Sequence, residues 1–166
     1  MLTKNSGTTT FTMPSGLEIV CERIFDAPRE LVFRVSNDPD LIPKWWGPSR
    51  FETAAERMEV KPGGSWRILH RDSDGNQYGF HGVYHDVVAP ERTVRTFEFE
   101  GVPGHVLLET ATLEDLGGTT KVRVQSVFQT VEDRDGMLNS GMQSGATESH
   151  DRLAALLKEL QGGRGG

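Results

Sequence analysis

The first stretch with a regular pattern is Leu17 to Phe25, LEIVCERIF, where β-branched and aromatic positions alternate with charged ones. That is the pattern of a strand with one solvated face. It stops at Asp26-Ala27-Pro28. Asp26 suits a cap, Pro28 suits the first turn of a helix, and Leu31, Val32 and Val35 then follow helical spacing. Asn37-Asp38-Pro39 repeats the punctuation and predicts a second short helix over Pro39 to Trp45, ended by Gly47-Pro48. Strands are then predicted over 51–59, 65–71, 78–88, 92–100, 105–113 and 120–130. Short turn-forming clusters separate them: Lys61-Pro62-Gly63-Gly64, Asp72-Ser73-Asp74-Gly75-Asn76, Ala89-Pro90-Glu91, Val102-Pro103-Gly104 and Asp115-Leu116-Gly117-Gly118. Consecutive short connections imply an antiparallel meander. Glu132 to Leu160 reads as one long helix, with Leu138, Met142, Ala146, His150, Leu153, Leu157 and Leu160 recurring every three or four residues. Gly136, Gly141 and Gly145 each cost about 1 kcal/mol against Ala in a helix interior, so fraying, a kink or close backbone packing is expected in its first half.

One strand, two short helices, six strands and a long helix describe an α+β fold: a curved antiparallel sheet of six to seven strands around a C-terminal helix. A chain of 166 residues favours one domain, expected over 15–161, while residues 1–14 and 162–166 are rich in Gly, Ser and Thr and are expected to be flexible. Eighteen basic against 24 acidic residues, net −6, with no local basic patch, argue against a nucleic-acid partner. The single cysteine, Cys21, allows no intrachain disulfide, no cysteine zinc cluster and no CxxC pair, which fits a reducing compartment. No apolar run approaches 18 residues and the N-terminus lacks a signal-peptide core, so a soluble cytoplasmic protein with no membrane partner is expected.

The chemistry-bearing positions follow from strand parity. Trp66, Ile68 and His70 share one face of their strand, and Tyr78, Phe80 and Tyr84 one face of the next. Phe97 and Phe99 form another set, and Val122, Val124 and Phe128 a fourth. His150 lies on the apolar stripe of the long helix, where an imidazole must find a partner or stay neutral. His81 and His85 share a face and His105 is the third candidate ligand, but no HExxH or equivalent spacing supports a metal site, and none is expected. There is no GxSxG elbow, no Walker loop and no GxGxxG, so neither covalent catalysis nor a nucleotide cofactor is indicated. Cys21 reads as a small packed hydrophobe, and Glu98, Glu100 and Glu109 read as solvated sheet-edge carboxylates. Of the adjacent Trp45 and Trp46, only one is expected to pack beneath its helix; the other would cap a cavity mouth or form an apolar surface.

The segments RIFDAPRELVF, NDPDLIPKWWGP, VKPGGSWRI and DGNQYGFHGVYHDVVAPERTV, with a closing helix ending SHDRLAALL, occur in an order that resembles the START-like, Bet v 1-like (SRPBCC) superfamily, in the branch named after the activator of Hsp90 ATPase. The resemblance runs from about residue 17 to 160. It implies the helix-grip fold, in which sheet and helix do not close fully and large inward side chains line a hollow. Applied to this chain, the hollow would be lined by Trp66, Ile68, His70, Tyr78, Phe80, Tyr84, Phe97, Met142 and His150. Many relatives carry Gly-Trp where this chain has Gly141-Met142, and a flexible thioether gives a roomier, more adaptable wall. The leading expectation is therefore binding of a small apolar or aromatic, lipid- or polyketide-like molecule without a cofactor. A cyclase, aromatase or dehydratase using a pocket His or Tyr as general acid or base is the alternative, and a co-chaperone-like protein-binding module the third. Sheet edges and the Trp45-Trp46 region could pair two subunits as a homodimer. Ligand entry is expected by fraying near Met137 to Met142.

Overall fold

The computed structural model of the protein describes residues 7–165. Its elements, in chain order, are β1 (Thr10–Thr12), β2 (Glu18–Phe25), α1 (Arg29–Ser36), α2 (Ile42–Trp45), β3 (Glu52–Met58), β4 (Ser65–Arg71), β5 (Gln77–Val88), β6 (Arg92–Phe99), β7 (Val106–Asp115), β8 (Thr120–Val127), α3 (Val131–Leu138) and α4 (Met142–Gly165). All eight strands form one antiparallel sheet in the order β1-β2-β8-β7-β6-β5-β4-β3. Strands β3 to β8 are a pure meander, as short turns between them require. The two short helices after β2 carry the chain across to the far edge, and α4 packs over the inner face. This is the helix-grip arrangement.

The strand count is eight rather than six to seven, because Thr10–Thr12 pairs with Glu22 to Val20 as an added edge. That strand lies within the stretch expected to be flexible, and Phe11 explains it by packing against the cluster around Ile19. Residues 1–6 and 166 of the two ends lie outside the described residues. The closing helix is two helices rather than one. Thr130 caps α3, its hydroxyl accepting from Asp133 N–H at 3.1 Å, and the chain then leaves the helix at Asn139 and passes through Gly141 at φ +84° before α4 begins. A left-handed glycine ends a helix, and an apolar period that continues across the break conceals it from the sequence. At α1, Pro28 itself is the N-cap and no side chain caps the helix, so Asp26 does not perform that role.

Three apolar clusters hold the layers. One joins Phe25, Leu31, Val32 and Val35 to Leu113, Val122 and the α4 leucines Leu153, Leu156 and Leu157. A second joins Ile42, Trp66, Ile68 and Tyr84, and a third Ile19, Leu107 and Phe128, with Met137, Leu138 and Met142 packed against it. Trp45 and Trp46 both pack on the second cluster, against the expectation that only one would. Trp46 is already past the end of α2, with ψ 124°, so helical geometry no longer separates the two side chains.

Candidate functional site

Cross-strand register places side chains of one face in rows across the sheet. Tyr84 of β5 stands opposite Arg95 of β6, Arg95 opposite Glu109 of β7, Glu109 opposite Ser126 of β8 and Ser126 opposite Ile19 of β2. This row lies on the inner face, beneath the helices, and four of its five members are polar. Apolar or small groups flank it. On one side are Phe97, Leu107 and Phe128, and on the other Thr93, Ala111, Val124 and Cys21.

The centre of the row is a buried ion pair. Arg95 Nε donates to Glu109 Oε1 at 2.8 Å, with the side chains 13% and 21% exposed. The Arg95 guanidinium lies over the Trp66 ring, its Cζ 4.0 Å from the centroid. Burial works against the charge on Arg95, but the Glu109 carboxylate together with the Tyr84 hydroxyl more than offsets it, so the guanidinium stays ionised. Tyr84 is 1% exposed, burial pushes its phenol up against the opposing pull of the Arg95 guanidinium beside it, and its Oη makes no well-aligned hydrogen bond. Burial likewise pushes the Cys21 thiol up to about 12, which makes it a packing group and an unsuitable nucleophile.

The nine residues expected to line a hollow divide into two sets. Trp66, Ile68 and Tyr84 form the second cluster with Phe80 and Phe97 against it, and Met142 sits with Phe97 on the third. Tyr84 is itself the first member of the polar row, and the other five pack on the two clusters that hold its ends, Tyr84 and Ile19. His70, Tyr78 and His150 do not join it. His70 is stacked on Phe51 (4.8 Å, 5°), with Nδ1 2.9 Å from Thr53 Oγ1 and its other ring edge against Gly47, where any Cβ would overlap the imidazole. Burial first, then Arg152 and Arg50, brings its pKa down to about 4. Tyr78 meets Phe51 edge-on and donates its hydroxyl to Asp72 at 3.1 Å, at the hairpin end of the sheet. His150 lies at the opposite end against Phe25, with Nδ1 3.2 Å from Thr9 Oγ1, and burial followed by Arg23 brings it down to about 4.

Arg95 and Glu109 are the groups that strand reading missed. Glu109 is an interior carboxylate and not an edge one, whereas Glu98 and Glu100 do face outward, as part of a network with Arg67 and His81. The signal was present: Arg95 shares parity with Phe97 and Phe99, and Glu109 with Leu107, Ala111 and Leu113. An Arg on one inward face opposite a Glu on the next is a pair, which parity alone predicts once the hairpin register is known.

The β5–β6 ladder is interrupted in the same region. No backbone pair joins Gly82-Val83 to Thr96-Phe97; instead Trp66 Nε1 donates to Thr96 O at 3.1 Å and Val83 N–H to Thr96 Oγ1 at 2.9 Å. On the outer face the gap opens into a depression of about 510 Å³ lined by Arg57, Arg67, His81, Glu98, Glu100 and Val106 among others. The Arg67–Glu100 contact there holds Glu100 down at about 2. Among the described residues no group of three His, Cys, Asp or Glu side chains is arranged to hold a metal, and no helix is long and apolar enough to cross a membrane.

Clamps join α4 to the α2–β3 loop. Ser149 Oγ accepts from Gly47 N–H at 2.7 Å, Glu148 from Ser49 N–H at 2.7 Å, and Arg152 donates to Gly47 O at 2.6 Å. They fix the helix over the aromatic end of the sheet.

No protein of curated function matches this chain. Among solved structures, a protein from Rhodobacter sphaeroides superposes with a TM-score of 0.85 at 22% identity, covering 91% of this chain and 98% of its own. A protein from Arthrobacter aurescens gives 0.83 at 25% identity, with 90% and 91% covered. DynU16, from the dynemicin biosynthetic locus, gives 0.68 at 21% identity, with 87% of this chain and 48% of its own covered. Likeness at this level of identity speaks for the fold. Residues 26–158, from the end of β2 into α4, match the sequence model of one family, and the chain belongs to it: Activator of Hsp90 ATPase homolog 1-like protein.

Proposed function

We propose that this protein binds a small, largely apolar or aromatic molecule between the inner face of the sheet and α4. The observation that carries the reading is incomplete burial in the middle of the inner face. Phe80, Phe97, Glu109, Ala111, Val124 and Ser126 all face inward and keep partial accessibility, while Trp66, Ile68 and Tyr84 on one side and Phe25, Leu113 and Val122 on the other are buried. Apolar walls with a few convergent polar groups are the composition of ligand sites, and a biosynthetic-locus protein of the same fold accords with small-molecule handling. Of the acid–base candidates, His70 and His150 are each engaged by a threonine and packed on an aromatic ring and Tyr78 donates to Asp72 at the hairpin end, so an enzymatic reading would run through Tyr84 or Glu109 on the polar row. Titration with 1-aminoanthracene tests the binding reading. Saturable binding of one molecule per chain is expected, abolished by Ala111→Phe, which fills the inner face, in a variant that still melts cooperatively. No saturable binding, or unchanged binding to Ala111→Phe, would overturn it.

A further inference from the structure

We infer that the interior selects its ligand by a neutral oxygen acceptor, so that the class bound is a mostly aromatic compound carrying a carbonyl group that docks on Arg95. The inference rests on the interior binding reading and names the chemistry of that same site. Arg95 is held from two sides, by the Glu109 carboxylate at Nε and by the Trp66 ring beneath its plane. Its orientation is therefore set before any ligand arrives. Glu109 takes the Nε–H and the Tyr84 hydroxyl lies against the guanidinium, close enough to take one terminal N–H, which leaves further terminal N–H donors with no acceptor among the described residues. An ionised guanidinium with terminal N–H donors left over, in a polar row flanked by apolar walls, is a strong demand for an acceptor, because charge-assisted hydrogen bonds are the ones worth most in such surroundings.

The pairing also sets the charge of the ligand. Glu109 already balances Arg95, and Arg23, also buried, is balanced by Asp151 at 2.6 Å. A carboxylate ligand would bring an uncompensated negative charge next to Glu109, at a desolvation cost that nothing on the inner face returns. A ketone, amide or quinone oxygen accepts from the same N–H groups at no such cost. On either side of the row the walls are Phe97 and Leu107 or Ala111 and Val124, which suit flat rings and offer no second ion.

Three probes of similar shape separate these terms: benzophenone, its hydrocarbon analogue diphenylmethane, and the anion diphenylacetate, each measured by displacement of 1-aminoanthracene. Benzophenone is expected to bind at least tenfold more tightly than either of the others. In the double variant Arg95→Met/Glu109→Leu, which replaces the pair by apolar groups and leaves no orphan charge, the preference should fall to within about twofold while diphenylmethane still binds. Equal affinities for ketone and hydrocarbon in the unaltered protein would overturn this inference and leave interior binding standing. Tightest binding of diphenylacetate, or a ketone preference that survives in the double variant, would overturn it as well. Failure of all three probes would remove the interior binding reading together with it.

Discussion

The imidazole of His70 is neutral at physiological pH because its surroundings offer a proton no return, and this should make the fold acid-labile in a defined window. The residue is 4% exposed, its ring stacked on Phe51 with Trp46 tilted against it, and faced by Arg152 from α4 and Arg50 from the α2–β3 loop, with the Thr53 hydroxyl on Nδ1. Its pKa falls from an ordinary value of about 6.5 to about 4. Because the folded pKa lies below the unfolded one, the unfolded chain takes up the proton first as the pH drops. The contribution is complete above about pH 6.5 and is lost as the pH falls toward 4, with a slope of about 1.4 kcal/mol per pH unit and a total of about 3 kcal/mol. His150, brought down to about 4 by its own burial and by Arg23, adds a second proton to the same window. Carboxylates held low, such as Glu100, lose their contribution only at lower pH, so the slope is best read between 6.5 and 5. Denaturant melts at half-unit pH steps would measure it. His70→Asn keeps a polar atom near Thr53 and removes the titration, and it should flatten the slope by about one proton's worth whatever it does to stability at pH 7. An unchanged slope in that variant, or an NMR titration with His70 half-protonated near pH 6.5 in the folded protein, would refute the reasoning.

Two further predictions concern backbone. A Cβ on Gly82 would overlap the Thr96 carbonyl oxygen and lie 2.7 Å from Trp66 Nε1, so Gly82→Ala should break the indole bond and cost about 3 kcal/mol, read as a lowered denaturation midpoint with altered Trp emission; a change under about 1 kcal/mol would contradict it. Gly141 has open space around it but φ +84°, so Gly141→Ala should cost only the left-handed conformation, about 1 kcal/mol, and amide exchange should be faster over 131–145 than over 150–160; uniform protection across both helices would contradict the break as a point of opening.

Much of this fold can be read from punctuation. Each hairpin of the meander is announced by its own Gly, Pro or Asp cluster, and seven of the eight strands are predicted within a few residues of where they lie. β1 escapes because three residues of Thr-Phe-Thr carry too little pattern, and its pairing depends on where β2 exposes an edge. The helix break escapes because Met142 continues the apolar period of Leu138, and only the φ of Gly141 separates the two segments. At the candidate site, Trp66, Ile68, Phe80, Tyr84 and Phe97 are legible as an inward set, since parity alone orders them. Arg95 and Glu109 are not, because a charged residue read singly belongs in solvent; burial becomes acceptable only through the partner on the neighbouring strand, which is a fact of register. His70 and His150 mislead for a similar reason. His70 is placed on its strand face and His150 on its helical stripe by pattern, but their partners are not: Thr53 is the cross-strand neighbour of His70, a fact of register, and Thr9 comes from the far end of the chain.

Whether a ligand enters between sheet and helix, and not the open depression on the outer face, is tested most directly by intermolecular NOEs between isotope-labelled protein and benzophenone. The predicted contacts are from the ligand rings to Phe97, Leu107, Ala111, Val124 and Met142, with shifted Arg95 side-chain N–H resonances. NOEs to Val83, Val106 and Arg57 instead would place the ligand on the outside and contradict the account.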